Sequence, residues 1–111
     1  MKESWGLSVK LVRDLIPKII EENGKSCRWH KINNHSEYMS YLKLKIIEET
    51  DEFIEDPCLE EAADMLEVVK AFAKINNLDF EEVISVAQNK TKKRGGFTEG
   101  IILEEVFDES R

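Results

Sequence analysis

Two long helical segments follow each other in this sequence with almost no residues between them. Residues 37–55 and the stretch that ends near Ile75 both repeat apolar side chains at helical spacing, and Asp56-Pro57 separates them. Such a pair closes one helix and opens the next, with the aspartate as cap and the proline at the first helical position. So short a connection favours antiparallel packing. The sequence therefore predicts an antiparallel helical hairpin.

Acidic side chains lie on the faces of this hairpin that are expected to be buried. At about 100° per residue, Glu49 falls among the apolar residues of the first helix and Glu61 among those of the second. Glu52 and Asp64 lie at the margins of the same faces, whereas Glu48 points away as a solvated charge. A carboxylate on a buried face is costly unless it is paired or bound to a cation.

The expected register of the hairpin brings these acids to one place. In an antiparallel pair, residues at the same height have numbers with a constant sum, so Glu52 is expected to face Glu61 and Glu49 to face Asp64. The two levels are roughly 4.5 Å apart along the helix axis. Four converging carboxylates require either retained protons or a bound cation. All-oxygen ligands favour Mg²⁺, with Mn²⁺ as the next choice.

Capping residues predict three helix starts besides the one at Asp56. Asp14 can cap a first helix, and Ser36 can cap the helix over 37–55. Asp79, with Glu82 three residues later, has the spacing of a capping box for a last helix that ends at Gly95-Gly96. We therefore expect four helices.

Short strands are expected towards both ends of the chain. Apolar and polar residues alternate over 7–11, and a short apolar segment covers 101–107. The predicted fold is one mainly α-helical domain over residues 1–111. It is a helical bundle around the antiparallel acidic hairpin, with short terminal strands.

Two basic residues extend the apolar side of the last predicted helix. Lys90 and Arg94 continue the face that Phe80 and Val83 begin, just before the glycine pair Gly95-Gly96. A polyphosphate needs this combination, since a metal bridges its oxygens and bases balance the remaining charge. The alternative is that both are helix-end charges favoured by the helix dipole.

The overall charge disfavours two classes of partner. Among 111 residues, 23 acids against 16 bases give a net charge of −7, which disfavours duplex nucleic acid and anionic membranes. No apolar run approaches the roughly 20 residues of a membrane span, and a secretory signal is not expected.

Because Cys27 and Cys58 are the only cysteines, we expect a reducing, cytoplasmic location. A zinc site built from these cysteines with His30 and His35 is the weaker interpretation.

Several segments together resemble a known family. Lys45–Phe53 (KIIEETDEF) and Glu61–Val68 (EAADMLEV) resemble the paired Glu-x-x-Glu and Glu-x-x-Asp signature of the all-α nucleoside triphosphate pyrophosphohydrolases, the MazG-like superfamily. Lys10–Pro17 (KLVRDLIP) and Arg94–Phe97 (RGGF) are similar to its smaller phosphoribosyl-ATP pyrophosphohydrolase-like branch of predicted house-cleaning proteins. The resemblance covers residues 10–105.

The resemblance implies roles for particular residues. Four of them would be the Mg²⁺ ligands, namely Glu49, Glu52, Glu61 and Asp64. Glu48 matches the first acid of the family signature, and Lys45 belongs to the same motif, so both are further candidates. Lys90 and Arg94 match basic positions associated with substrate phosphates.

The resemblance also implies an activity. It is Mg²⁺-dependent hydrolysis of a nucleoside triphosphate or related nucleotide between the α and β phosphates, to a monophosphate and pyrophosphate. Glu49 or Glu52 would orient or deprotonate the attacking water, and house-cleaning of noncanonical nucleotides is one use of such an enzyme. Family members are typically homodimers or homotetramers. The alternative is a non-catalytic helical module that binds a nucleotide or a protein on the same fold.

Overall fold

The computed structural model describes residues 9–108, and all of its regular structure is helical. The elements are α1 (Ile16–Glu22), α2 (His35–Glu55), α3 (Leu59–Ile75) and α4 (Phe80–Arg94). The chain forms two compact units, Met1–Leu78 and Asp79–Arg111, so that α1 to α3 belong to the first unit and α4 to the second. The prediction of a mainly α-helical fold is confirmed. One functional domain over residues 1–111 stays a prediction.

The contacts between α2 and α3 show that the two helices pack antiparallel. At the open end of the hairpin, the Asn76 amide donates to the Met39 sulfur over 3.7 Å. Near the connection, a carboxylate oxygen of Glu49 lies within 4.8 Å of one from Glu61 and one from Asp64. Low numbers on α2 therefore face high numbers on α3, as the short connection predicts.

The connection between α2 and α3 differs from the prediction by two residues. Asp56 ends α2, since its N–H still donates to the Glu52 carbonyl at 2.9 Å. α3 begins at Leu59 after Cys58, which has an extended backbone and no side-chain cap. Asp56 and Pro57 as cap and first residue of α3 are therefore wrong. A residue that still completes the ladder of one helix is not free to take the extended backbone that opens the next.

Two of the other predicted caps are also wrong. Asn34 caps α2, because its side-chain oxygen accepts the Glu37 N–H at 2.9 Å. Ser36 therefore lies inside α2, and its carbonyl accepts a hydrogen bond from the Ser40 hydroxyl. α1 begins after Leu15 with no side-chain cap, so Asp14 does not cap it. Before α2 several polar residues lie within a few positions, and the backbone path selects among them, whereas no polar side chain caps α1.

The bounds of α4 agree with the prediction. The Asp79 side chain accepts the Glu81 N–H at 3.4 Å and caps the helix. At the other end Gly95 has φ +83°, a conformation that glycine adopts without the steric cost of a side chain. The helix therefore ends at Arg94.

The predicted terminal strands are not formed in the part of the chain that the structure describes. Residues 9–11 and 101–107 have no regular secondary structure, and residues 7–8 of the first predicted strand lie outside the described region. A strand is stable only when a neighbouring strand receives its N–H and C=O groups. Neither segment has such a partner among residues 9–108.

The buried apolar interior is small. Within residues 9–108, Leu42 at 2% exposure and Ala73 at 5% are the buried apolar residues, and both lie in the α2–α3 hairpin. Large apolar side chains such as Ile54, Leu59 and Phe107 are exposed. None of the helices described is long and apolar enough to cross a membrane.

Candidate metal centre

Five carboxylates lie in the half of the α2–α3 hairpin nearest the connection, and we call them the acidic cluster. Its members are Glu48, Glu49 and Glu52 on α2 and Glu61 and Asp64 on α3. A spacing of three residues places Glu49 beside Glu52 on one helix face, and Glu61 beside Asp64 on the other. Antiparallel packing turns these two faces towards each other.

The acidic cluster consists of two overlapping groups of three. One oxygen each of Glu48, Glu49 and Glu52 lie within 4.8 Å of one another, and the same holds for Glu49, Glu61 and Asp64. Glu49 belongs to both groups. It is therefore the residue through which the carboxylates of α2 meet those of α3.

Glu48 lies closer to this site than its helical phase indicates. The phase places its Cβ away from the apolar face, yet its carboxylate is half-buried and belongs to the acidic cluster. A glutamate side chain is long enough to reach around a helix surface, and a nearby cation stabilises it there. That cation is Lys45, whose Nζ lies 3.1 Å from Glu48 Oε1.

Burial is deepest at Glu49 and Glu61, each of which is 7% exposed. One oxygen of Glu49, Oε1, lies 3.5 Å from Lys45 Nζ. The other, Oε2, is buried and has no hydrogen-bond partner among residues 9–108. Leaving a charged oxygen buried without a donor is costly, and a bound cation removes that cost. Glu49 Oε2 thus marks a point where a cation would be stabilised.

The surroundings of Glu49 oppose its ionisation. Burial raises the pKa of its carboxyl above the ordinary value, and the negative charges of Glu52, Asp64 and Glu48 raise it further. The positive charge of Lys45 lowers the pKa but does not cancel these effects. Without a metal, an ionised Glu49 therefore destabilises the fold.

Two further cations reach the acidic cluster from the segment that precedes α1. Arg13 Nη2 lies 2.7 Å from Asp64 Oδ1, and Lys10 Nζ lies 3.8 Å from Glu48 Oε2. Sequence reasoning assigned no role to either residue. Their segment has no regular structure, so periodicity contained no signal for their position. Only their place in the opening motif, Lys10–Pro17, marked them.

The other predicted site residues have different surroundings. Lys90 and Arg94 are exposed on α4, in the second unit, and their role in phosphate binding stays a prediction. The Cys27 thiol contacts the Pro17 carbonyl, and the Cys58 thiol contacts Asp56. Within residues 9–108, the groups with metal-binding geometry contain carboxylates only, so a zinc site is not assembled there.

The donors of the acidic cluster suit a hard divalent cation. They are all carboxylate oxygens, they come from two facing helices, and one buried oxygen of Glu49 has no donor among residues 9–108. Mg²⁺ and Mn²⁺ prefer such ligands, whereas zinc prefers nitrogen and sulfur. In comparisons with family models, curated proteins and solved structures, nothing matches this chain.

Proposed function

We propose that this protein is a Mg²⁺-dependent nucleotide pyrophosphohydrolase. It would cleave a nucleoside triphosphate or related nucleotide between the α and β phosphates and release a monophosphate and pyrophosphate. The observation that carries the proposal is Glu49, a buried carboxylate shared by two groups of acids on facing helices. Its position matches the paired acidic signature that the chain resembles.

The acidic residues would have two roles, namely binding the cation and activating the attacking water. Four of them would hold the cation, namely Glu49, Glu52, Glu61 and Asp64. When bound, Mg²⁺ withdraws charge from phosphate oxygens and lowers the pKa of a water that it holds. Glu52 is only half-buried, so water can approach it, and it or Glu49 would orient the nucleophile and accept its proton.

The bond changes follow from these roles. The oxygen of water would bond to the α phosphorus while the bond from that phosphorus to the oxygen bridging the α and β phosphates breaks. The water proton would pass to the carboxylate, and the leaving pyrophosphate would take the electron pair. We propose that Lys90 and Arg94 balance the charge of the released pyrophosphate, as the family resemblance implies.

Pyrophosphate release in the presence of Mg²⁺ tests this proposal. We expect the purified protein to release pyrophosphate from at least one member of a panel of canonical and modified nucleotides. Glu52→Gln should lower the rate about 10²-fold or more, because it removes a group that positions or deprotonates water. A coupled enzymatic pyrophosphate assay measures both rates, with a chelator as the metal-free reference.

The matched control is Glu55→Gln, the same substitution three residues later at an exposed position outside the acidic cluster. It should leave the rate unchanged. No release from any nucleotide, with either Mg²⁺ or Mn²⁺, would rule out the enzyme. Nucleotide binding in calorimetry without turnover would instead assign a non-catalytic binding module.

We also propose that the protein forms a homodimer or homotetramer. Exposed apolar side chains on the hairpin support this, among them Leu44, Ile47 and Ile54 on α2 and Leu59 and Leu66 on α3. A short chain with a small buried interior gains stability by covering such surfaces. Light scattering after size exclusion should give at least twice the mass of one chain. A single monomer peak at micromolar concentration would contradict it.

A further inference from the structure

Two basic side chains of the segment before α1 rest on the outer carboxylates of the acidic cluster. Arg13 pairs with Asp64 at 2.7 Å, and Lys10 pairs with Glu48 at 3.8 Å. Both partners lie at the outside of the cluster, whereas Glu49 and Glu61 lie buried at its centre. Positive charge therefore lines the side of the acidic cluster that faces solvent.

The Arg13 pair is well placed to exchange partners. The side chains of Arg13 and Asp64 are 55% and 40% exposed, and ion pairs of this kind contribute little stability. The bond is nonetheless short, and the planar guanidinium can form two parallel hydrogen bonds with a carboxylate or a phosphate. Breaking the pair thus costs little, and the same two N–H groups of the Arg13 guanidinium can donate to a phosphate instead.

The acceptor in this pair is also one of the four proposed metal ligands. Asp64 belongs to the same group as Glu49 and Glu61. Since a cation held by Asp64 neutralises its charge, the attraction between Asp64 and Arg13 weakens. The guanidinium then lies beside the metal centre with its counter-charge reduced, which favours an incoming anion.

We propose that Arg13, assisted by Lys10, is the anion-binding side of the metal centre. In the metal-free protein the two residues are counter-ions of Asp64 and Glu48, and after metal binding they hold the phosphate groups of the ligand. Metal and phosphate would therefore bind cooperatively, each raising the affinity for the other by the same factor. That this phosphate belongs to a nucleotide rests on the proposed function. The coupling between metal binding and phosphate binding does not depend on it.

Calorimetric titration with Mn²⁺ alone tests the first half of the inference. Arg13→Gln should bind Mn²⁺ about three- to tenfold more tightly than the wild type, because a competing cation is removed from Asp64. If Arg13 merely held Asp64 in a ligating position, the same substitution would weaken Mn²⁺ binding. Weaker or unchanged binding would therefore overturn the inference.

Titration of the Mn²⁺-loaded protein with manganese pyrophosphate tests the second half. Here Arg13→Gln should bind about tenfold or more weakly, because a charge-assisted hydrogen bond is lost. Arg13→Lys should recover part of the affinity, since it keeps the charge without the fork. Equal affinity of the wild type and Arg13→Gln, or failure of the loaded wild type to bind the probe, would overturn the inference.

The control is Arg28→Gln, the same change at an exposed arginine that makes no ion pair with the described residues. It should leave both affinities unchanged. Circular dichroism confirms that each variant is folded. Because both titrations measure binding, the expected changes without any nucleotide hydrolysis would keep this inference and reject the proposed enzyme. If the wild type hydrolyses a nucleotide but Arg13→Gln leaves both affinities unchanged, the proposed enzyme stands and this inference is rejected.

Discussion

Glu49→Gln is expected to remove the thermal stabilisation that Mn²⁺ or Mg²⁺ gives the wild-type protein. Glu49 is the carboxylate shared by both groups of the acidic cluster, so its loss disrupts both. At a metal concentration 100 times Kd, binding to the native state contributes about 2.7 kcal/mol. For a domain of this size that corresponds to a rise in Tm of roughly 10 °C or more. Thermal unfolding followed by circular dichroism should show this rise in the wild type and less than about 2 °C in the variant.

Without metal, Glu49→Gln should make the fold more stable than the wild type. The pKa of Glu49 is raised by burial and by neighbouring acids. The carboxyl therefore stabilises the fold below its pKa in the unfolded chain, and that stabilisation is lost as pH rises through the higher pKa of the folded state. At pH 7, well above the ordinary pKa of a glutamate, the raised pKa of Glu49 is a net cost to the fold that a glutamine avoids. Metal-free Glu49→Gln should therefore have a higher Tm than the metal-free wild type.

Measurements across pH and on a control variant show whether the higher Tm of metal-free Glu49→Gln comes from the ionisation of Glu49. The advantage of Glu49→Gln should shrink as pH falls, since the wild-type carboxyl becomes neutral as well. Glu55→Gln, at an exposed position on the same helix, should follow the wild type with and without metal. A Glu49→Gln protein that is less stable at pH 7 yet still stabilised by Mn²⁺ would contradict the metal centre.

Leu42→Ala is expected to cause the largest loss of stability of any single truncation in the hairpin. At 2% exposure, Leu42 is the largest fully buried side chain among residues 9–108. Removing it costs the transfer free energy of the lost atoms and leaves a cavity, about 2–5 kcal/mol in total. Native proteins have a free energy of unfolding of only about 5–15 kcal/mol, so this loss is a large fraction of the stability of the fold.

Urea unfolding followed by circular dichroism measures this loss. Leu103→Ala makes the same change at a position that is 77% exposed and lies outside the surface proposed for self-association, and it provides the matched comparison. Its cost within one chain should be about 0.5 kcal/mol or less. A cost below about 1 kcal/mol for Leu42→Ala would show that the interior is not organised around this residue.

Helical periodicity predicted the part of the site that depends on local geometry. The burial of Glu49 and Glu61 follows from the phase of each residue on its own helix, which is fixed at about 100° per residue. Their approach follows from the short connection, which permits only an antiparallel arrangement. The end of α4 was predictable for a similar reason, because Gly95 at φ +83° breaks a helix locally.

Features that depend on more than one segment were not predictable in this way. Asn34 rather than Ser36 caps α2, since neighbouring polar residues are equivalent until the preceding chain chooses its path. The predicted terminal strands fail within the described residues because alternation describes one strand, whereas a sheet also requires a partner.

The amino-acid sequence alone determined where four helices form and which carboxylates of the hairpin point inward, because both depend mainly on neighbours along the same helix. The tertiary structure alone decided that Arg13 meets Asp64, 51 positions away, and that Glu48 joins the acidic cluster. An irregular segment has no periodic pattern to fix its direction. Its basic side chains meet acids that come together only in the folded hairpin, so no local pattern in the sequence records these pairs.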